Sequence, residues 1–157
     1  ADGSVMLSLP ILNQDYEAIE TMMADEAIVM GLADAGAHVG QIMDSSQPTY
    51  FLSHWVRDTG FFTLEEGVRR ITSDTADLFG LVDRGRIVEG AYADVNVIDF
   101  ERVSLIGPEY VHDFQGGAGR YIQRGTGYDA TIVNGKVFME DGEHTGELAG
   151  VTLRSTD

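Results

Sequence analysis

The side chain in this sequence best placed to do chemistry is Asp34, which follows a run of apolar residues. The run, residues 27–32, has the pattern of a strand buried on both faces of a parallel sheet. Small residues around Asp34 leave room for a ligand beside its carboxylate. Active sites in parallel α/β folds lie at the carboxyl ends of the strands, which favours a catalytic role. An aspartate that only caps a turn is an equally open interpretation.

Two further polar residues, His38 and Asp44, lie in the loop that follows. A single loop histidine more often forms packing or hydrogen-bonding contacts than metal contacts. We therefore expect His38 to bind substrate or to orient the loop.

The composition excludes several classes of partner. The 157 residues carry a net charge of −16, which argues against nucleic acid and anionic membranes, because both require a cationic surface. No apolar run approaches the ~18 residues that a membrane span requires. The absence of Cys excludes disulfides and thiolate metal sites, and the first residues lack the pattern of an export signal. We expect a cytoplasmic protein with a solvated acidic surface.

The elements that must position Asp34 have α/β character. An apolar run at residues 5–9 predicts a short strand, and residues 15–23 place Tyr16, Ile19 and Met23 on one helical face. Three helices are then predicted, over residues 48–57, over 64–71 after a Thr63 cap with Glu66 completing a capping box, and over 74–79 after a Ser73 cap.

The second half of the chain has the pattern of a β structure. Strands are predicted at residues 86–88, 94–98, 110–112, 121–124, 130–133 and 136–139. Asn134-Gly135 indicates a tight hairpin, and the glycines at 116, 117 and 119 indicate a turn. A boundary near residues 82–85 would separate a first unit, residues 1–83, from a second, residues 84–157.

Several segments, in the same order along the chain, resemble D-aminoacylases and related N-acyl-D-amino-acid deacylases of the metal-dependent amidohydrolase superfamily. They are GLADAGAH (31–38), HWVR (54–57), TSDTADLFGL (72–81), DRGRIVEGAYADVNVID (83–99), ATIVNGKV (130–137) and GEHTG (142–146). The resemblance covers roughly residues 25 to 150.

The resemblance implies an α/β plus β fold, in which the last part of a (β/α)₈ barrel is followed by strands of an accessory β-sandwich. Residues 1–83 would be the last strand and helices of an incomplete catalytic barrel, and residues 84–157 part of the sandwich. Asp34 would lie at the tip of the eighth barrel strand, contact zinc, and act as general acid/base in hydrolysing an N-acyl-D-amino acid or a similar small amide. Zn²⁺ lowers the pKa of bound water towards ~7, which makes a neighbouring carboxylate an effective proton acceptor.

The sequence also departs from that family. None of its four histidines (38, 54, 112 and 144) forms a His-x-His pair, and a catalytic zinc requires about three protein ligands. We therefore expect this chain alone to hold no catalytic zinc, and its partner to be a missing N-terminal barrel region or a second copy. Position 45, where the family has a carboxylate-binding arginine, is Ser, and Arg57 is expected to be a surface or salt-bridging residue. The alternative is a stand-alone, catalytically incomplete binding or assembly module.

Overall fold

The computed structural model describes residues 9–154, so the strand predicted at residues 5–9 lies, except for its last residue, outside the described residues. The α-helices precede the strands along the chain, and a short 3₁₀ turn at Gln115–Gly117 lies between two of the strands. The helices are α1 (Tyr16–Ala24), α2 (Gln47–Tyr50), α3 (Leu64–Ile71) and α4 (Ser73–Leu78), with a 3₁₀ turn at Asp44–Ser46 and a π-helical segment at Phe51–Asp58. The strands are β1 (Val95–Ile98), β2 (Ser104–Leu105), β3 (Glu109–Val111), β4 (Arg120–Ile122), β5 (Gly125–Thr126), β6 (Tyr128–Val133), β7 (Lys136–Glu140) and β8 (Glu143–His144).

The predicted first helix is confirmed as α1. The side chain of Asp15 accepts a hydrogen bond from the Ala18 amide at 3.1 Å and so caps its first turn. Ile19 and Met23, on the predicted apolar face, pack against the core of the protein.

The helix predicted over residues 48–57 is confirmed, but its second part is not α-helical. It begins at Gln47 with Pro48 in its first turn, and from Phe51 it continues as the π-helical segment. This segment supplies the buried Phe51, Leu52, Trp55 and Val56, which form the core together with Phe62 and Val103.

The capping box predicted for α3 is confirmed. Thr63 accepts a hydrogen bond from the Glu66 amide at 3.2 Å, and the Glu66 carboxylate accepts one from the Thr63 amide at 3.2 Å. The predicted Ser73 cap of α4 is wrong, because Thr72 occupies the cap position. The hydroxyls of Thr72 and Ser73 instead donate to carbonyl oxygens in the last turns of α3.

The largest sheet has four antiparallel strands in the order β1-β6-β7-β8, and β2 pairs with β5 while β3 pairs with β4. The predicted hairpin is confirmed, with Val133 opposite Lys136. Asn134 and Gly135 have φ values of 49° and 75°, the left-handed conformation that both central residues of a type I′ turn require.

Two predicted strands are wrong. Residues 27–32, expected to be buried on both faces, have no strand structure, and Leu32 is 82% exposed. The physical reason is that a strand is stable only beside another strand, and no strand in residues 9–154 lies along this segment. Residues 86–88 likewise form no strand, and Ile87 is almost fully exposed.

The core joins residues from both halves of the chain, because Val103, between β1 and β2, packs against the π-helical segment. The division into units 1–83 and 84–157 stays a prediction.

Candidate active site

Asp34 lies at the start of a turn. Its φ of 56° places it in the left-handed region, which few residues other than Gly, Asn and Asp adopt. Its carbonyl oxygen accepts a hydrogen bond from the Ala37 amide at 3.1 Å. Its side chain is exposed and forms no hydrogen bond or ion pair with a residue from 9 to 154. The carboxylate is therefore accessible to a ligand or to another polypeptide.

His38 contacts the loop that follows it through its backbone. Its carbonyl oxygen accepts hydrogen bonds from the amides of Gln41 at 2.8 Å and Ile42 at 2.9 Å. Its imidazole is exposed. That His38 binds substrate or orients the loop stays a prediction.

The loop that follows Asp34 is attached to β4 and to its C-terminal extension, residues 123–124. The carbonyl oxygen of Val39 accepts a hydrogen bond from the Tyr121 amide at 3.0 Å. The hydroxyl of Ser46 donates to the side-chain oxygen of Gln123. Sequence reasoning missed both contacts, because residues about 80 positions apart show no local pattern.

The described residues do not fit a catalytic zinc by themselves. Within residues 9–154, no three His, Cys, Asp or Glu side chains come together as a metal site. Asp34 with His38 would supply at most two ligands, below the three that catalytic zinc sites use.

A second group of polar aromatic side chains lies where α1 meets the π-helical segment. The hydroxyls of Tyr16 and Tyr50 are 2.9 Å apart, and the Tyr50 ring stacks on His54 with centroids 4.9 Å apart. Burial, together with the hydrogen bond and the proximity of Tyr16, raises the pKa of Tyr50 to about 12. Tyr50 packs against the core. Because its phenol stays protonated to such high pH, it makes a poor general base at neutral pH.

Arg57 connects the helices to the β half. Its Nε donates to Asp58 at 2.8 Å, as expected for a salt-bridging residue, and this contact raises the pKa of Arg57 while lowering that of Asp58. Its Nη1 also donates to the backbone oxygens of Phe100, at 3.2 Å, and Glu101, at 3.3 Å.

A cavity of about 450 Å³ lies on the apolar run before Asp34. Ile28, Val29 and Met30 line one side of it, and the ends of α3 and α4 contribute Arg69, Arg70, Asp74 and Asp77. Arg69 donates to both carboxylate oxygens of Asp74 at 2.8 Å. Neither Asp34 nor His38 lines this cavity, so it is separate from the candidate catalytic carboxylate.

The model of the amidohydrolase family matches residues 8–139, which is most of the chain. The chain belongs to the amidohydrolase family. This D-aminoacylase-like amidohydrolase chain is 34% identical over 105 residues to the D-aminoacylase of Alcaligenes xylosoxydans xylosoxydans. It is also 46% identical over 55 residues to the N-acyl-D-glutamate deacylase of the same organism.

Solved structures agree with this assignment. A crystal structure of D-aminoacylase matches with a TM-score of 0.52 and 34% identity, over 66% of this chain. A D-aminoacylase mutant in complex with CuCl₂ matches with a TM-score of 0.54 and 35% identity, over 68% of this chain. A third matching structure, with a TM-score of 0.52, concerns a binuclear metal centre in D-aminoacylase, with activation by one metal and attenuation by the second.

The amidohydrolase chain spans only a fraction of these relatives. The match to D-aminoacylase includes 67% of this chain but only 20% of that protein. The match to N-acyl-D-glutamate deacylase includes 11% of that protein. No helix within residues 9–154 is long and apolar enough to cross a membrane.

Proposed function

We propose that this chain supplies the last part of the barrel of a metal-dependent amidohydrolase that hydrolyses the amide bond of an N-acyl-D-amino acid or a similar small molecule. The observation that carries the proposal is the family match over residues 8–139, which includes Asp34 and the loop after it. In this arrangement residues 27–32, which have no strand structure in this chain by itself, would pair as the eighth strand of a (β/α)₈ barrel, and residues 84–157, with strands β1 to β8, would belong to an accessory β-sandwich.

The exposed surface supports a larger assembly. The chain has an accessible surface of 11254 Å², whereas a folded monomer of its mass exposes roughly 7,800 Å². The eight residues before Leu9 and the three after Arg154 are too few to explain the excess, since even an extended residue exposes only about 160 Å². Ile28 is 43% and Leu32 is 82% exposed, and both lie in the segment that would pair with neighbouring barrel strands.

The partner we propose is therefore a polypeptide that contributes the remaining barrel strands. It would also contribute the metal ligands that residues 9–154 lack. Zinc is the metal we propose. Asp34 would be one of its ligands and would carry a proton from the attacking water to the leaving amine, and an ionised carboxylate suits both tasks. The absence of Cys agrees with a reducing compartment, and we propose the cytoplasm.

The carboxylate of the substrate would be bound by a different residue from the arginine that binds it in the family. Position 45 is Ser, which cannot form the bidentate contact with a substrate carboxylate that an arginine forms. An amide substrate whose carboxylate is bound by another residue is therefore the class we propose.

The proposal is tested by reconstitution. The 157-residue chain, with zinc, is assayed for amine release from N-acetyl-D-amino acids, alone and mixed with a polypeptide covering the other four fifths of the D-aminoacylase relative. We expect no hydrolysis by the chain alone. The mixture should be active and should lose a factor of about 10²–10⁴ in rate on Asp34→Asn.

The matched control is Asp44→Asn, which alters another acidic residue of the same loop and should leave the rate of the mixture unchanged. Hydrolysis and stoichiometric zinc in the chain alone, or a mixture indifferent to Asp34→Asn, would contradict the proposal.

A second candidate, a catalytically incomplete binding or assembly module, is favoured by the absence of a metal cluster within residues 9–154. The gene sequence upstream of the Ala1 codon separates the two. A reading frame that continues to a His-x-His motif supports the enzyme, and a stop codon there supports the module.

A further inference from the structure

The loop after Asp34 is attached to the β half at two points seven residues apart. Val39 accepts the amide hydrogen bond of Tyr121 at 3.0 Å, and Ser46 donates to the side-chain oxygen of Gln123. The loop also closes on itself, through hydrogen bonds from the amides of Gln41 and Ile42 to the carbonyl oxygen of His38. The segment that begins at Asp34 is thus tied to one strand and its extension.

The register of the β3–β4 hairpin explains why β4 can accept this loop. Tyr110 lies opposite Tyr121. The Tyr121 amide points away from β3, towards Val39, so this is a non-hydrogen-bonded pair of the ladder, and the two rings meet edge to face with centroids 4.9 Å apart. The outer edge of β4 therefore presents a free donor, and the loop satisfies it.

The hairpin has several side-chain contacts of its own. Arg120 donates from Nε and Nη2 to the two oxygens of Asp113 at 2.8 and 2.7 Å, which lowers the pKa of Asp113. The Nδ1 of His112 lies 2.9 Å from the Gly117 carbonyl oxygen. The Tyr110 ring covers Gly119, where a Cβ atom would lie within 2.3 Å of it. The loop is therefore attached to a hairpin that these contacts hold together.

We infer that β4 and its extension are a positioning element for the catalytic loop, and that Gln123 is the positioning residue that fixes the loop after Asp34 through Ser46. This inference rests on the proposed catalytic role of Asp34. An aspartate at the start of a turn takes its orientation from the turn. Holding the far end of the loop through Ser46 therefore restricts the directions in which the Asp34 carboxylate points.

The test uses amide hydrogen exchange, measured by NMR on the full 157-residue chain. Gln123→Met keeps the side-chain volume and removes the acceptor, together with the donation from Gln123 to the Ile106 carbonyl oxygen at 3.4 Å. Ser46→Ala removes only the donor. Either should speed exchange of the Ala37, Gln41 and Ile42 amides about tenfold, the effect of one lost hydrogen bond on local opening. Exchange of the β6 amides should stay unchanged.

Two further variants separate positioning from general stability. Gln123→Glu keeps an oxygen acceptor and should restore slow exchange in the loop. Arg124→Gln breaks the neighbouring contact with Glu109, at 3.3 Å, and should leave the loop unchanged. The double variant of Ser46→Ala with Gln123→Met should exchange no faster than Gln123→Met alone, because the contact that Ser46→Ala removes is already absent from it.

The inference is overturned if loop exchange does not respond to Gln123→Met or Ser46→Ala, if the effects of the two add, or if Gln123→Glu fails to restore protection. Should Gln123→Met not fold, Ser46→Ala and its comparison with Arg124→Gln decide the matter. The measurement involves no hydrolysis, so its failure would leave the proposed enzyme activity standing, and the failure of reconstitution would leave the attachment of the loop standing.

Discussion

Arg57 donates a hydrogen bond from Nη1 to the carbonyl oxygen of Val103, the residue whose side chain is 0% exposed. The same nitrogen also donates to the carbonyl oxygens of Phe100 and Glu101, which precede Val103 in the chain. One guanidinium thus closes the loop that brings Val103 into the core, which links the π-helical segment to the β half.

Replacing Arg57 should destabilise the protein. Arg57→Met keeps much of the apolar stem but leaves three carbonyl oxygens without this donor, and we expect the unfolding temperature to fall by several degrees. Trp55, buried in the adjacent turn, reports unfolding by its fluorescence. Arg69→Met, which breaks an exposed pair with Asp74, is the control and should change the midpoint little. Equal effects of the two variants would refute the role given to Arg57.

Val103→Ala should create a cavity in the core. Removing two methyl groups from a completely buried side chain should cost roughly 2 kcal/mol of unfolding free energy, measured by urea denaturation. Val151, which is 63% exposed, offers the same substitution at the surface, where the change should stay within about 0.5 kcal/mol. Identical urea midpoints would show that Val103 is not a core residue.

Alkaline pH should destabilise the contact between α1 and the π-helical segment. The pKa of Tyr50 is raised from 10.0 to about 12, chiefly by burial and then by Tyr16. Because the folded state holds this proton more tightly than the unfolded state, its contribution is complete below pH 10.0 and is lost as the pH rises through about 12.

Absorbance titration of the tyrosines checks this prediction. Tyr16→Phe removes the hydrogen bond and should lower the titration midpoint of Tyr50 only in part, because burial is the larger cause. A Tyr50 phenol that titrates near 10.0 in the native protein would show that the contact is not formed in solution.

The backbone of Asp34 makes a separate prediction about stability. Asn tolerates the left-handed conformation as well as Asp does, so Asp34→Asn should change the free energy of unfolding by less than about 0.5 kcal/mol. A β-branched residue does not, and Asp34→Val should cost about 1–2 kcal/mol. Urea denaturation measures both. If valine were tolerated as well as asparagine, the turn at Asp34 would not have the conformation described.

The exposed apolar surface should make the isolated chain self-associate. The charge of −16 opposes association through repulsion, and added salt screens that repulsion. We therefore expect the mass measured by light scattering to rise above 17.1 kDa as the salt concentration increases. Leu32→Asp should reduce this rise, whereas Asn96→Asp, on β1, adds the same charge elsewhere and should reduce it less. If the chain stayed a monomer at all salt concentrations, that result would count against the proposal that a partner completes the barrel.

The parts of the fold that the sequence predicts well depend on neighbouring residues. The Thr63 and Glu66 box and the Asn134-Gly135 turn are determined within four residues, so their patterns are sufficient. Residues 27–32 have the composition of a buried strand, but strand formation depends on a hydrogen-bonded neighbour that the described residues do not supply.

The candidate site was predictable only in part. Asp34 could be singled out from the small residues around it and from the family resemblance. The contact between Ser46 and Gln123 could not, because it joins distant residues through side chains with no periodic pattern. The role of Val103 was equally hidden, since a single apolar residue in a short connection between strands has no helical or strand period.

The burial of Val103 beneath the π-helical segment limits how this protein could be recombined with its relatives. A chimera joined between Asp83 and Arg84 would keep Phe51 and Leu52 but take the residue that covers them from another protein. Unless that residue matched Val103 in size, the hybrid would begin with a void or a clash at its centre. A chimera that replaces only the second half of the chain therefore has to keep a valine at position 103, even where the surface strands differ.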